Sequence, residues 1–287
     1  MKIGLSTYSL YEALKSGEMT VPDIIQWVSD QGGEHVEISL VGFDLVENPE
    51  LIDPICRKIE QTGITASSYT VGAQLLQESR EAFDAEVSRL MRHVETAAKM
   101  GIQLMRHDAC SRPPEEATIE QFEADLPHMI EGIRRIADHA MQHGITTSVE
   151  NHGYHVQNSD RVRRLIHAVD RPNYRWTLDV GNFVCVDEDP LYAVRNAMPF
   201  AVMVHFKDFY IRPASLDPGE GWFRSSSGKY LRGAIVGQGD IDIRSILKIL
   251  KDHGYDGFLS VEFEGMEDCR LGSRIGMENL RRLVSEC

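Results

Sequence analysis

The sequence predicts an α/β fold, a single (β/α)8 TIM-type barrel running over residues 1–287. Strand-like apolar runs alternate with amphipathic helical segments along the whole chain, and eight such runs can be counted. Glycine repeatedly closes a helical segment just before the next run. Several runs end in a carboxylate or an imidazole, at the end of the strand where a barrel places its active site.

Taken in order, the first strand is expected over Lys2–Ser9, directly after Met1, with no leader-like segment before it. Thr20-Val-Pro22-Asp reads as a helix start, and His35–Leu40 as the second strand, with Glu37 near its end. Glu60-Gln-Thr-Gly63 stops a helix before the third strand, Ile64–Tyr69. In Arg80–Met100, Phe83, Val87, Leu90, Met91, Val94, Ala97 and Ala98 recur at helical steps, a stripe made to pack on a sheet. His93 reads as surface or helix packing. Gly101 precedes the fourth strand, Ile102–His107, and Gly144 precedes the fifth, Thr146–Glu150. Asn158-Ser-Asp160 opens a helix before the sixth strand, Arg175–Asp179, and Ala201–Phe206 is the seventh. The pattern then fails over 206–240, too long for a routine connection. Its glycines and its aromatics Trp222, Phe223 and Tyr230 mark it as a substrate cover, a subunit contact, or both. Asp242-Ile-Arg-Ser245 and Lys251-Asp-His-Gly254 bound the helix before the last strand, Phe258–Phe263.

Composition narrows the function classes. Forty-four acidic against thirty basic residues give a formal charge of −14, which opposes capture of nucleic acid through phosphate neutralisation. No apolar stretch reaches membrane-spanning length, so the chain reads as cytoplasmic. Cys56, Cys110, Cys185, Cys269 and Cys287 lack paired spacing and are expected to be free thiols, mostly buried. Arg212, Arg224, Lys229 and Arg232 are the best candidate for a local basic patch, suited to a phosphate or carboxylate on a small substrate, or else a solvated loop.

Four runs carry the chemistry: Thr146-Thr-Ser-Val-Glu150, Arg175-Trp-Thr-Leu-Asp179, Val202-Met-Val-His205 and Phe258-Leu-Ser-Val-Glu262. Carboxylates ending apolar strands are costly to bury unless paired or bound to a cation, and three brought together repel. A divalent metal held by Glu150, Asp179, His205 and Glu262 resolves that conflict. Three carboxylates and one imidazole suit Mn²⁺, with Mg²⁺ or Co²⁺ also compatible and Zn²⁺ less favoured. The competing reading makes each residue a salt-bridge partner or core group; their joint placement on four strand ends favours the metal. Such a metal polarises a carbonyl and stabilises an enediolate, while Glu150 and Glu262, on the fifth and eighth strands, bracket the substrate to remove and return a proton.

Around this set, His152, His107 and Lys207 rank in that order for substrate contact, Lys207 being also open to neutralisation by Asp208. Glu37 supports the pocket from behind the ligands. Glu264 shares strand parity with Glu262 and is its rival. His152-Gly-Tyr-His155 lacks the spacing of a zinc protease motif, and the glycines of Val236–Asp240 lack the order of a phosphate-binding loop and read as a turn.

Ser148-Val-Glu150-Asn-His-Gly, Leu178-Asp179-Val-Gly-Asn182, Val204-His205-Phe-Lys207-Asp208, Val236-Gly-Gln-Gly-Asp240 and Gly254-Tyr-Asp-Gly257-Phe-Leu-Ser-Val-Glu262 resemble the sugar phosphate isomerase/epimerase family of xylose-isomerase-like TIM barrels. The resemblance covers essentially the whole chain. It implies metal-ligand roles for Glu150, Asp179, His205 and Glu262, and proton exchange by Glu150 and Glu262 as in ketose epimerases. One departure is Asn182, where those epimerases commonly carry a substrate-contacting histidine. Asparagine donates a hydrogen bond but cannot act as a near-neutral acid or base. The leading expectation is a metal-dependent isomerase or epimerase of a small polyhydroxylated carbonyl compound, in a chain able to self-associate. A dehydratase on a related substrate is the alternative. An endonuclease IV-like phosphoesterase and a noncatalytic ligand sensor rank lower.

Overall fold

In the computed structural model, which describes residues 1–287, parallel strands close into a barrel. The first seven are β1 (Lys2–Ser6), β2 (His35–Ser39), β3 (Thr65–Val71), β4 (Leu104–His107), β5 (Thr146–Glu150), β6 (Tyr174–Asp179) and β7 (Ala201–Phe206). The chain then makes an excursion through β8 (Asp208–Arg212), β9 (Phe223–Arg224) and β10 (Tyr230–Ala234), and β11 (Phe258–Val261) closes the barrel between β7 and β1. Around it run α1 (Tyr11–Lys15), α2 (Val21–Asp30), α3 (Ile52–Thr62), α4 (Arg80–Lys99), α5 (Ile119–Gln142), α6 (Ser159–Val169), α7 (Pro190–Ala197), α8 (Ile243–Asp252) and α9 (Cys269–Glu286). No helix is long and apolar enough to cross a membrane.

All eight expected strands are present, with ends shifted by a few residues. The largest shift is in β1, where the chain leaves the barrel at Ser6 and turns through a 3-10 segment at Thr7–Leu10. Helix punctuation follows the sequence closely. Gly63, Gly101, Gly144 and Gly254 all adopt φ between 69° and 72°, the left-handed geometry that ends a helix cheaply only at glycine. Thr20 forms a capping box with Asp23, and Asp242 accepts from the Ser245 amide at 3.0 Å. Asn158 stands at the N-cap of α6 without capping it; Glu188 accepts from the Ser159 amide instead.

The predicted stripe on α4 buries Phe83, Val87, Leu90, Val94 and Ala97 against the barrel. His93 lies in the same interface, fully buried, its Nδ1 2.8 Å from the Tyr69 hydroxyl. Of the five free thiols, Cys110 and Cys185 are buried, Cys56 and Cys269 are partly covered and Cys287 is exposed. The expectation of mostly buried thiols is therefore too strong, because Cys56 and Cys269 sit on helices that face both core and solvent.

Residues 206–240 are more ordered than their sequence pattern. They form an antiparallel sheet in the order β8-β10-β9, with Phe209 opposite Gly233 and Leu231 opposite Phe223. Short strands that pair across a loop and stay half-exposed leave no alternation to read. The Asp208 carboxylate anchors the sheet to its base by accepting from the Gly237 and Gly239 amides, each at 2.9 Å. A Cβ at Gly239 would sit 2.2 Å from Asp208 Oδ1, so only glycine permits this approach. The glycine-rich segment thus cradles the chain's own carboxylate, and the pairing of Lys207 with Asp208 does not form.

Candidate metal centre

Strand register assembles the site before any side chain is considered. Asp179 on β6 is level with His205 on β7, His205 is level with Ser260 on β11, and Glu37 on β2 is level with Ser6 on β1. Glu150 ends β5, and Glu262 follows β11 immediately. With inward side chains alternating along each strand, these residues converge on the axis at the C-terminal mouth.

One potential ligand atom from each of Glu150, Asp179, His205 and Glu262 lies within 4.8 Å of the others, and all four residues are buried. His205 Nδ1 is 3.4 Å from Glu262 Oε1 and 3.6 Å from Glu150 Oε1. Several atoms of these groups are also held by other partners. Asp179 Oδ1 accepts from the Gly181 and Asn182 amides at 2.7 and 2.9 Å. His205 Nε2 lies 2.9 Å from Glu37 Oε2, while Glu37 Oε1 accepts from Thr70 Oγ1 at 2.7 Å. Glu150 Oε2 meets Arg106 at 2.6 Å and Glu150 Oε1 accepts from Asn182 at 3.1 Å.

Two buried atoms in the cluster, Asp179 Oδ2 and His205 Nδ1, have no hydrogen-bond partner. Orphaned buried acceptors are expensive, and here they belong to a three-carboxylate, one-imidazole set. That donor set fits a divalent cation. The Glu37 contact gives His205 the carboxylate backing usual for a metal-bound imidazole and leaves Nδ1 as the inward nitrogen.

The electrostatics record the same frustration. Burial pushes the Asp179 carboxyl up to about 7, with Lys207 opposing and Glu150 and Glu262 reinforcing the rise. Burial also disfavours charge on Glu150, yet Arg106 and His205 outweigh it and hold that carboxyl well below its usual range. His205 would lose its proton to burial alone, but Glu37, Glu262 and Glu150 raise it well above its ordinary value. Without a metal, a proton on His205 would join Arg106 and Lys207 in offsetting the carboxylates.

Above the cluster opens a cavity of about 190 Å³ whose walls include Tyr8, Arg106, Asp108, His152, Lys207 and Glu264. His152 is half-exposed there, its Nδ1 3.4 Å from Asp108 Oδ1. Burial lowers the affinity of its ring for a proton, but Asp108 more than compensates and the ring sits above its ordinary value. Lys207 Nζ lies 3.2 Å from Glu262, 3.3 Å from Glu264 and 3.5 Å from Asp179. Glu264 pairs with Lys207 and with the Tyr8 hydroxyl, while Glu262 joins the ligand cluster.

Not every expected substrate residue reaches this cavity. His107 is buried with its ring against Tyr174 and its Nδ1 2.8 Å from the Asp108 carbonyl, on the outward side of β4. Its neighbour Arg106 has the inward parity instead. Arg212 turns to Asp240 at 3.1 Å, and Arg232 lies over the rings of Tyr210 and Trp222. Sequence reasoning missed Arg106, Asp108 and Tyr8. Strand alternation was the available signal for Arg106, since a charged residue alternates there with apolar Met105. Tyr8 and Asp108 lie just past strand ends, where no pattern points inward.

A family model described as xylose isomerase-like TIM barrel matches residues 25–283. The chain belongs to the xylose isomerase-like TIM barrel family. Among curated relatives of this barrel, an inosose dehydratase of Lacticaseibacillus casei is 27% identical over 149 residues, 49% of this chain and 50% of the relative. One from Clostridium perfringens is 28% identical over 145 residues, 50% of this chain and 48% of the relative. The chain spans about half the length of the curated relatives it matches. A 3-keto-D-glucoside 4-epimerase from E. coli shares the fold over 98% of this chain and 99% of its own, with a TM-score of 0.72 at 17% identity. A D-psicose 3-epimerase from Clostridium cellulolyticum H10 covers 99% of both chains with a TM-score of 0.73 at 15% identity. At such identities these likenesses establish the barrel alone.

Proposed function

We propose that this barrel catalyses metal-dependent proton abstraction next to the carbonyl of a small polyhydroxylated ketone, followed by loss of a neighbouring hydroxyl as water. The observation that carries this reading is that Glu150 is tied to Arg106 and Asn182 while Glu262 and His152 share the wall of the mouth cavity. Glu150 is pinned by Arg106 and Asn182 and held well below the usual carboxylate range, which makes it a steady anion and a poor proton donor. An epimerase needs two carboxylates that exchange protons on opposite faces. A dehydratase needs one base and one acid, and the mouth offers Glu262 and, on the wall of the same cavity, His152, whose ring Asp108 raises above its ordinary value.

A divalent cation held by Glu150, Asp179, His205 and Glu262, with Mn²⁺ the best match to an oxygen-rich set, supplies a Lewis acid that polarises the carbonyl. Glu262 takes the proton from the adjacent carbon, the electron pair forms the carbon–carbon double bond, and the C–O bond of the β-hydroxyl breaks. His152 delivers a proton to the departing oxygen, so the atoms lost are those of one water. Arg106 positions Glu150, Glu37 orients His205, and Asn182 holds the loop after β6 against Glu150. The match to inosose dehydratases supports this outcome over epimerisation, and polyol-derived cyclic ketones are the first substrates to try.

The test is incubation of Mn²⁺-loaded protein in D₂O with inososes and free ketoses, read by mass spectrometry. A product short of one water, formed by wild type and not by Glu262→Gln, is the expected result. Deuterium entering a carbon position without loss of water would return the site to epimerase chemistry, a reading favoured by the closeness of Glu150 and Glu262 to one histidine nitrogen. Neither event in folded, metal-loaded protein would remove carbon-acid chemistry from this chain.

A further inference from the structure

A second group of metal-ligand side chains lies far from the mouth. Glu95, His139 and His143 each offer one ligand atom, and these atoms lie within 4.8 Å of one another. His139 stands in the last turn of α5 and His143 is its C-cap residue, so a step of four positions sets both imidazoles on one face of the helix end. Their ring centroids are 4.8 Å apart. Glu95 comes from the C-terminal part of α4, the helix packed beside α5. Both helices lead through a glycine, Gly101 or Gly144, to the N-terminal ends of β4 and β5. The group therefore sits at the end of the barrel opposite the mouth, where a barrel keeps stability rather than catalysis.

Three features of this group suit a cation. His139 Nε2 lies 3.3 Å from Glu95 Oε1, yet it has no hydrogen-bond partner. At that separation a missing hydrogen bond means that the oxygen stands off the nitrogen's bonding axis. Two ligands of one tetrahedral metal show the same offset, because bonds of about 2.0–2.2 Å set their atoms roughly 3.3–3.5 Å apart with the ion between them. The ion then occupies the space shared by the two atoms, reached past the exposed His143. Second, the Glu95 carboxylate is not spent elsewhere: it forms no ion pair with a lysine or arginine, and His139 is its one ionic contact. Third, the final turns of α4 and α5 carry carbonyls without helical partners, whose partial negative charge favours a cation nearby.

We infer that Glu95, His139 and His143 form a second metal site, weaker than the mouth and suited to Zn²⁺, with the fourth position of its tetrahedron left to water. The two donor sets differ in kind. One imidazole among three carboxylates at the mouth suits Mn²⁺, whereas two imidazoles and one carboxylate are a zinc set. The ligands come from two helices that the unfolded chain does not hold together, so an ion bound here clamps α4 to α5 and stabilises the folded barrel. Its distance from the mouth leaves the reaction there untouched, and the inference stands whether or not the proposed reaction does.

The experiment is equilibrium dialysis of Mn²⁺-loaded protein against Zn²⁺ in the presence of excess Mn²⁺, with both metals measured. Zinc that replaces manganese at the mouth is matched by the manganese released, so the outer site is the zinc taken up beyond that exchange. We expect one such Zn²⁺ per chain, and a Tm that rises with added Zn²⁺. In the double variant His139→Ala, His143→Ala the extra zinc and the rise in Tm are both lost, while unchanged Mn²⁺ content shows that the barrel is intact. Glu95→Gln weakens the extra uptake by about tenfold or more, at least the loss that follows removal of an outer contact from a metal site. Zinc taken up only in exchange for manganese overturns the inference. So does extra zinc that survives in the double variant, or an affinity that Glu95→Gln leaves unchanged.

Discussion

Two places in this molecule gather three or more imidazole and carboxylate groups closely enough to hold a metal ion, and they are built in opposite ways. At the barrel mouth, Glu150, Asp179, His205 and Glu262 are buried, and each has a further contact that orients it, from Arg106, the Gly181 and Asn182 amides, Glu37 and Lys207 respectively. On the outer face, Glu95 of α4 lies 3.3 Å from His139 of α5, whose ring centroid is 4.8 Å from that of His143. Those three are exposed or half-exposed, and no side-chain hydrogen bond orients any of them apart from their mutual contacts. A ligand that must be ordered at the moment of binding costs roughly 0.5–2 kcal/mol of side-chain entropy. At the mouth that ordering is done by folding. Proximity of ligand-type atoms is shared by both clusters; pre-organisation distinguishes them.

The largest expected effect is at the mouth. His205→Ala removes the only nitrogen ligand, and metal analysis after gel filtration should fall from about one Mn²⁺ per chain to near none. Full retention of Mn²⁺ would break the assignment. Glu37→Gln keeps the shape but weakens the hold on His205, and a loss of Mn²⁺ affinity of about 10–100-fold is expected by competition with a chelating dye. An unchanged affinity would show that backing the ligand contributes nothing, and the contrast with the outer cluster would lose its basis.

Acidity provides a third comparison. Burial raises Asp179 to about 7 in the metal-free protein, and the carboxylates around His205 raise that ring well above its ordinary value. Metal must displace those protons, so affinity at the mouth should weaken as pH falls, by about tenfold per unit below 7 for each proton displaced. Isothermal titrations in buffers of different ionisation enthalpy should show proton release. A pH-independent affinity between 6 and 8 would contradict the raised values. The smallest effect concerns the outer cluster: the pair His139→Ala and His143→Ala should leave Mn²⁺ content and turnover unchanged, altering at most weak uptake of imidazole-seeking metals such as Zn²⁺.

Much of the mouth was legible because strand ends and inward parity coincide in a barrel. Glu150, Asp179 and His205 each close an apolar run, and Glu262 follows one, so a strand count sufficed to bring them together. The same logic failed by one residue on β4. His107 has the chemistry of a site residue but the parity of a core residue, and it packs on Tyr174 while Arg106 enters the mouth. At the start of the excursion, Lys207 and Asp208 are neighbours in sequence and read as partners. The chain turns between them, sending the ammonium to Glu262, Glu264 and Asp179 and the carboxylate to the amides of the Gly237–Gly239 turn.

By itself the sequence determined the barrel, the order of its units, the glycine helix stops and four convergent residues able to hold a metal, since these follow from local periodicity and the period-two geometry of a strand. Only the tertiary structure decided which histidine nitrogen faces the cluster, which glutamate Arg106 restrains, and how residues 206–240 pair. Those features are contacts between residues far apart in the chain, and no local pattern encodes a partner that only folding supplies.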